Sequence, residues 1–233
     1  MLPDWTGVRS PVLVDHRQSR VLFFPPKWRG SVRPPPMDSS TNMNDFPRSM
    51  RLLLTTDLQF RLLWFRWLIE QAPDFDLICI AGDLLDMFKS ETRIEQAREV
   101  RTLIRELADL VPVAVCPGNH DNAGRLVSHD RASVYEWFID LGTHPNIITD
   151  GSTRKLENLI VTAIPYHCSR QEKSIWLDRG STIRRQTGMP WIVLHHVPAK
   201  NGLGDSGEEL EASELLAAYR PGYFVSGHSH AFP

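Results

Sequence analysis

The sequence predicts an α/β domain in which a sheet is covered by helices. Three observations carry that expectation. Apolar runs of strand length recur between residues 51 and 226, helix-periodic stretches stand between several of them, and most runs break abruptly into Gly, Pro, Asp or His. Such alternation belongs to folds whose strands are buried beneath helices. No internal repeat competes with it.

Residues 1–50 differ in character from residues 51–233. Pro25-Pro26, Pro34-Pro35-Pro36 and the polar run 38–45 predict a Pro-rich, mostly irregular extension. Arg9, Arg17, Arg20, Lys27, Arg29 and Arg33 outnumber Asp4 and Asp15 in residues 1–36, a balance read as solvated chain rather than a docking arm. The domain is expected over residues 51–233. Arg51–Thr56 reads as a strand, and Leu62–Ile69 as an apolar-rich helix with Arg61, Arg66 and Glu70 on its polar side. Phe75–Ala81 is a second strand. Glu91–Leu110 is the clearest helix: Ile94, Ala97, Val100, Ile104 and Leu107 recur at helical spacing, with Ser90 as N-cap. Val111–Cys116 is a third strand. Ser133 and Glu136 have capping-box spacing near the start of a helix ending at Leu141. Asn146–Thr149 and Leu159–Ile164 read as strands separated by a turn at Asp150-Gly151. Ser174–Arg185 is expected to be helical, interrupted or bent near Gly180, and Trp191–Leu194 to be a buried strand. A second capping box, Ser206 to Glu209, opens a helix to Ala218, and Tyr223–Ser226 is the last strand.

Bulk properties narrow the class. The 233 residues suit one good-sized domain with a tail, and a hydrophobic content of 42% is enough for a packed core. A formal net charge of -2 and a pI near 6.5 argue against a broad nucleic-acid groove. Cys79, Cys116 and Cys168 lack metal-ligand spacing and read as reduced core thiols. No apolar run approaches the ~18 residues of a membrane span. The N-terminus also lacks the blocks of a secretory signal, so the expected setting is soluble and cytoplasmic.

The chemistry gathers where apolar runs end. Asp57 and Gln59 follow the first strand, and Asp83 and Asp86 the second. Asn119, His120 and Asp121 follow the third strand, His195 and His196 the Trp191 run, and His228 and His230 the Tyr223 run. Alternating strands and helices place ligands at the carboxyl ends of strands. Alone, Asp57 would be a turn residue, Gly82-Asp83 a common turn pair and His-X-His a surface loop. Together and in order they predict a metal site. Imidazole mixed with carboxylate suits Mn, Fe, Zn or Co better than Ca or Mg, and one Asp can bridge two ions.

Asp57-Leu58-Gln59, Gly82-Asp83, Gly118-Asn119-His120-Asp121, His195 and Gly227-His228-Ser229-His230 together resemble the calcineurin-like metallophosphoesterase superfamily over residues 51–230. The resemblance implies a four-layer α-β-β-α sandwich with two divalent metal ions at the sheet ends. It implies that Asp83 bridges the ions, that Asn119, His195 and His228 complete one site, and that Asp57, Gln59 and His230 serve the other. His120 would stabilise or protonate the leaving group, oriented by Asp121, while a metal-bound hydroxide attacks phosphorus. His196 is assigned to the surroundings of the metals or the substrate's edge, and His167 to substrate contact. Gln59 stands where the family usually has His and is a weaker donor; Asp86 is a candidate replacement, or a cap. The chain stops three residues after His230, which predicts a second sheet incomplete at its C-terminal edge. The implied activity is metal-dependent hydrolysis of phosphomonoesters or phosphodiesters of small molecules, with no membrane or nucleic-acid partner. The competing expectation is a scaffold of the same fold that binds another protein.

Overall fold

The computed structural model describes the backbone of residues 12–15 and 20–22, and residues 50–121, 137–149, 151–166, 168–196 and 218–227. Among these, the strands are β1 (Val12–Asp15), β2 (Arg20–Leu22), β3 (Arg51–Thr55), β4 (Leu77–Ala81), β5 (Val113–Cys116), β6 (Ile147–Thr149), β7 (Ser152–Lys155), β8 (Ile160–Ile164), β9 (Trp191–His195) and β10 (Tyr223–Val225). The helices with both ends described are α1 (Leu62–Gln71), α2 (Arg93–Leu110) and α3 (Arg170–Thr187).

The strands form two sheets, ordered β2-β1-β3-β4-β5-β6 and β10-β9-β8-β7. From β3 to β6 the first sheet is parallel, while β1 runs antiparallel to both β2 and β3. In the second, β8, β9 and β10 are parallel and β7 is antiparallel to β8. β1 and β2 lie in the stretch from which the sequence predicts mostly irregular chain.

Side-chain alternation along the strands builds the layers. Leu52, Leu54, Leu77, Cys79, Ala81, Ala114 and Cys116 of the first sheet share one buried cluster with Val161, Ala163, Ile192 and Leu194 of the second. That cluster is the seam between sheets. The alternate residues Leu53, Ile78, Ile80, Val113 and Val115 pack against Phe65 and Leu68 of α1 and Val100, Ile104 and Leu107 of α2. On the far side, Ile160, Ile164, Trp191 and Val193 pack against Leu177 of α3. The result is the four-layer α-β-β-α sandwich. Both sheets are covered on both faces, which is why their central strands read as continuous apolar runs rather than alternating ones.

Several local expectations change. α2 is capped by Thr92, whose side chain and Glu95 form a reciprocal capping box, so Ser90 lies outside the helix. Ile94 is exposed, and Leu103 takes a place in the buried stripe. α3 begins earlier than expected because Ser169 and Glu172 make a second such box. α3 runs uninterrupted through Gly180, where a Cβ would strike the indole of the buried Trp191, so the glycine is a point of close approach. β7 is polar, Ser-Thr-Arg-Lys, and was hidden behind the expected turn at residues 150–151. Residues 137–141 are helical, as expected there; both Ser capping boxes, at 133 and 206, fall outside the described residues.

Candidate metal centre

The described candidate side chains leave the carboxyl ends of strands at the same rim. Thr56 and Asp57 follow β3, Gly82 and Asp83 follow β4, the 118–121 turn follows β5, His196 follows β9, and Gly227 follows β10. Two loops are laced together through their backbones: Asp57 N–H donates to Gly82 O at 3.0 Å, Gln59 N–H to Asp83 O at 2.8 Å and Phe60 N–H to Leu84 O at 2.7 Å. That lacing forces Asp57, Gln59, Phe60 and Asp83 to positive φ of 55°, 45°, 51° and 52°. Non-glycine residues in this region cost about 1–3 kcal/mol each, and such strain collects at functional sites.

Asp57, Asp83 and His196 each offer a ligand atom, and these atoms lie within 4.8 Å of one another. His196 Nδ1 lies 2.7 Å from the Ala81 carbonyl, so Nδ1 carries the proton and Nε2 faces Asp83 Oδ1 at 3.2 Å. A metal-binding imidazole is commonly fixed this way, with the far nitrogen donating to a carbonyl. Thr56 Oγ1 stands 2.7 Å from the same carbonyl and 2.8 Å from Asp57 Oδ2, which steadies the second carboxylate. Two carboxylates and one oriented imidazole are the donor set for a first-row divalent ion. The residues fit a metal.

Electrostatics agree with the donor set. Burial opposes a charge on Asp83, but the His196 ring and the N–H of His120 outweigh it and hold the carboxyl below its usual range. Burial likewise works against protonation of His196, yet Asp83, the Ala81 carbonyl and Asp57 raise its pKa. The two carboxylates thus make this corner of the rim favourable to positive charge.

The glycines of the sequence motifs are where backbone passes closest to these ligands. A Cβ on Gly118 would overlap the Asp83 carboxylate and its backbone nitrogen, and would sit 2.9 Å from His196 Cδ2. Gly227 packs against Thr56, Asp57 and His196, bringing the chain that leads into residues 228–230 to this rim. His228, His230 and His167 themselves lie outside the described residues.

Of the histidine pair, His196 rather than His195 lies with Asp57 and Asp83. On β9, Ile192 and Leu194 point into the seam between sheets while Trp191 and Val193 point toward α3. Continuing that alternation sends His196 to the seam and the metal cluster, and His195 to the α3 side. There His195 Nδ1 lies 3.3 Å from the Ile164 carbonyl. Burial and the nearby Lys173 push its pKa well below the usual value, so it stays neutral. Counting in twos groups His196 with Ile192 and Leu194, but because Trp191–Leu194 is apolar throughout, the sequence does not say which set faces the seam.

Asp121 also differs from expectation. Its carboxylate accepts N–H bonds from Leu84 at 2.7 Å, Leu85 at 2.9 Å and Gly118 at 2.7 Å. It ties the Asp83 loop to the 118–121 turn rather than orienting His120, whose Nδ1 has no hydrogen-bond partner among the described residues. Burial and the Asp83 charge push the Asp121 carboxyl up to about 7, against the pull of those backbone donors. His120 lies beside the cluster, its N–H donating to Asp83 Oδ1 at 3.0 Å and its Nε2 3.9 Å from Asp83 Oδ2. Asn119 sits in the same turn, half-buried. Asp86 closes a local turn, its Oδ1 accepting the N–H of Phe88 at 2.8 Å; it caps no helix, since α2 begins at Arg93 behind Thr92. Thr56 carries no signal in the sequence; Tyr166, in the stretch 165–168 expected to line the cleft, has its ring 6.1 Å from that of His196.

Two facing sheets under helices, with carboxylates and an imidazole at the strand ends, define a metal-dependent phosphoesterase fold. The match to the calcineurin-like phosphoesterase family over residues 50–232 places the chain in that family. No curated protein matches the chain at a significant level. Among solved structures, purple acid phosphatase PPD1 from yellow lupin seeds is 13% identical with a TM-score of 0.49, covering 78% of this chain and 40% of its own. A nuclease MPE from Pseudomonas putida is 17% identical with a TM-score of 0.27, covering 61% and 59%. A metallophosphoesterase from Sphaerobacter thermophilus is 18% identical with a TM-score of 0.29, covering 62% and 59%. The chain thus spans well under two thirds of each of these structures. Among the described residues, no helix is long and apolar enough to cross a membrane.

Proposed function

We propose that this chain hydrolyses small-molecule phosphomonoesters or phosphodiesters with two divalent ions, of which manganese is the first to test. The reading is carried by the Asp57, Asp83 and His196 cluster, whose ligand atoms share one 4.8 Å neighbourhood with His120 alongside. Asp83 is assigned as the bridging carboxylate. His196 takes the ligand role first given to His195, with Asn119 and His228 on the same ion; Asp57, Gln59 and His230 serve the other. Bound ions would activate water near neutral pH and offset the charge on phosphate. His120 holds an imidazole N–H toward the departing oxygen, where it stabilises or protonates it. Asp121 acts through the backbone, fixing the two loops that carry Asp83 and Asn119. Three cysteines that remain free thiols fit a reducing, cytoplasmic setting.

The test is hydrolysis of aryl phosphomonoesters and diesters with Mn, Zn, Fe or Co added, alongside metal content per chain. Turnover abolished by Asp83→Asn and strongly lowered by His120→Ala, with two ions bound, supports the reading. Absence of metal-dependent turnover defeats it, and folded protein with one ion or none favours a protein-binding scaffold instead.

A further inference from the structure

We propose that Phe88 forms an apolar wall on the leaving-group side of this centre, selecting phosphoesters whose leaving group is an aromatic or similarly flat ring. The inference rests on the phosphoesterase reading and adds a substrate class to it.

Phe88 is 85% exposed, so the fold gains almost nothing from its ring. A phenylalanine normally contributes through the large apolar area it buries. Its position is nevertheless specific. The ring centroid lies 6.2 Å from that of His120, at 78°, an edge-to-face contact. His120 in turn stands between Phe88 and Asp83, with Nε2 3.9 Å from the Asp83 carboxylate. A line of contacts therefore runs outward from the acidic centre, through the imidazole nearest the departing oxygen, to an open aromatic surface. Met87, 39% exposed, extends the apolar surface at the preceding residue.

The backbone that carries the ring is also held in place. Asp86 Oδ1 accepts the Phe88 N–H at 2.8 Å. Asp86 is clamped by the buried side chain of Gln96: Oε1 accepts the Asp86 N–H at 2.9 Å, and Nε2 lies 2.9 Å from the Asp86 carbonyl and 3.0 Å from that of Glu91. A glutamine inside α2 thus fixes the backbone from which the exposed phenylalanine projects. A contact surface ordered in advance loses little freedom when a ligand arrives, so its contribution appears as affinity. A flat leaving group beside His120 can rest on this ring. A methyl group cannot reach it.

The experiment uses the full chain with manganese and compares wild type, Phe88→Ala and Phe88→Tyr. Hydrolysis of phenyl phosphate and methyl phosphate is measured, together with calorimetric binding of phenylphosphonate and methylphosphonate. Each variant is compared with wild type on the same ligand, so the intrinsic reactivity of the leaving groups cancels. Phe88→Ala is expected to raise KM for the phenyl ester and weaken phenylphosphonate roughly 3- to 10-fold. The methyl compounds should be unchanged, and Phe88→Tyr should restore the phenyl preference. Equal losses on phenyl and methyl ligands, or no loss on either, overturn the assignment of Phe88 while leaving the phosphoesterase reading intact. If metal-loaded wild type neither binds the phosphonates nor hydrolyses the esters, both readings fall together.

Discussion

Replacing Gly118 with alanine adds one methyl group at a crowded point of the metal centre. The new Cβ would overlap the Asp83 carboxylate and backbone nitrogen, with His196 Cδ2 2.9 Å away. No ordinary rotamer change relieves a clash with backbone, and Gly118 is itself tethered by its N–H to Asp121 at 2.7 Å. The loops after β4 and β5 must therefore separate. Overpacking of this kind costs about 1–3 kcal/mol of stability. Displacing a ligand carboxylate should weaken metal binding by about 10–100-fold, the range seen when groups supporting a metal ligand are removed. Gly188→Ala is the matched control. Gly188 caps α3 at φ +68° with nothing among the described residues within 4 Å, so its cost is conformational alone, about 1 kcal/mol, and the metal should not notice it. Urea unfolding reads the stability and calorimetric manganese titration reads the affinity. If Gly118→Ala binds manganese as tightly as Gly188→Ala does, the packing argument for the centre is wrong.

His196→Ala should abolish or severely weaken metal binding, whereas His195→Ala should leave metal affinity within a few-fold and mainly destabilise the α3 side; parallel titration and unfolding of the two variants separate them. Gln96→Leu orphans the Asp86 N–H and the Asp86 and Glu91 carbonyls, and at roughly 1 kcal/mol for each lost bond should cost about 2–3 kcal/mol in urea unfolding. Cys79 is fully buried, and burial pushes its thiol far above the ordinary range, so a maleimide should leave it unmodified in the native protein and label it in urea.

The layers were legible because two covered sheets demand apolar runs, and a helix with one buried face demands a 3.6 period; β3, β4, β5, β8 and β9 all lie where those runs stand. The polar strand β7 carries neither signal and went unread. The existence of a site was legible from polar groups clustered at strand ends. Its internal assignment depended on directions, which spacing along the chain does not give. His195 and His196 are adjacent, and only the alternation of β9 tells which one meets Asp83. The role of Asp121 was hidden for a related reason: its partners are backbone N–H groups, 36 and 37 residues away in the cases of Leu85 and Leu84, and backbone leaves no trace in side-chain identity.

Anomalous diffraction from crystals of this protein grown with manganese would locate the metal directly. Two peaks flanking Asp83, one beside His196 and one beside Asp57, are the predicted result. A bound ion lying against His195, or away from Asp83, would contradict the assignment.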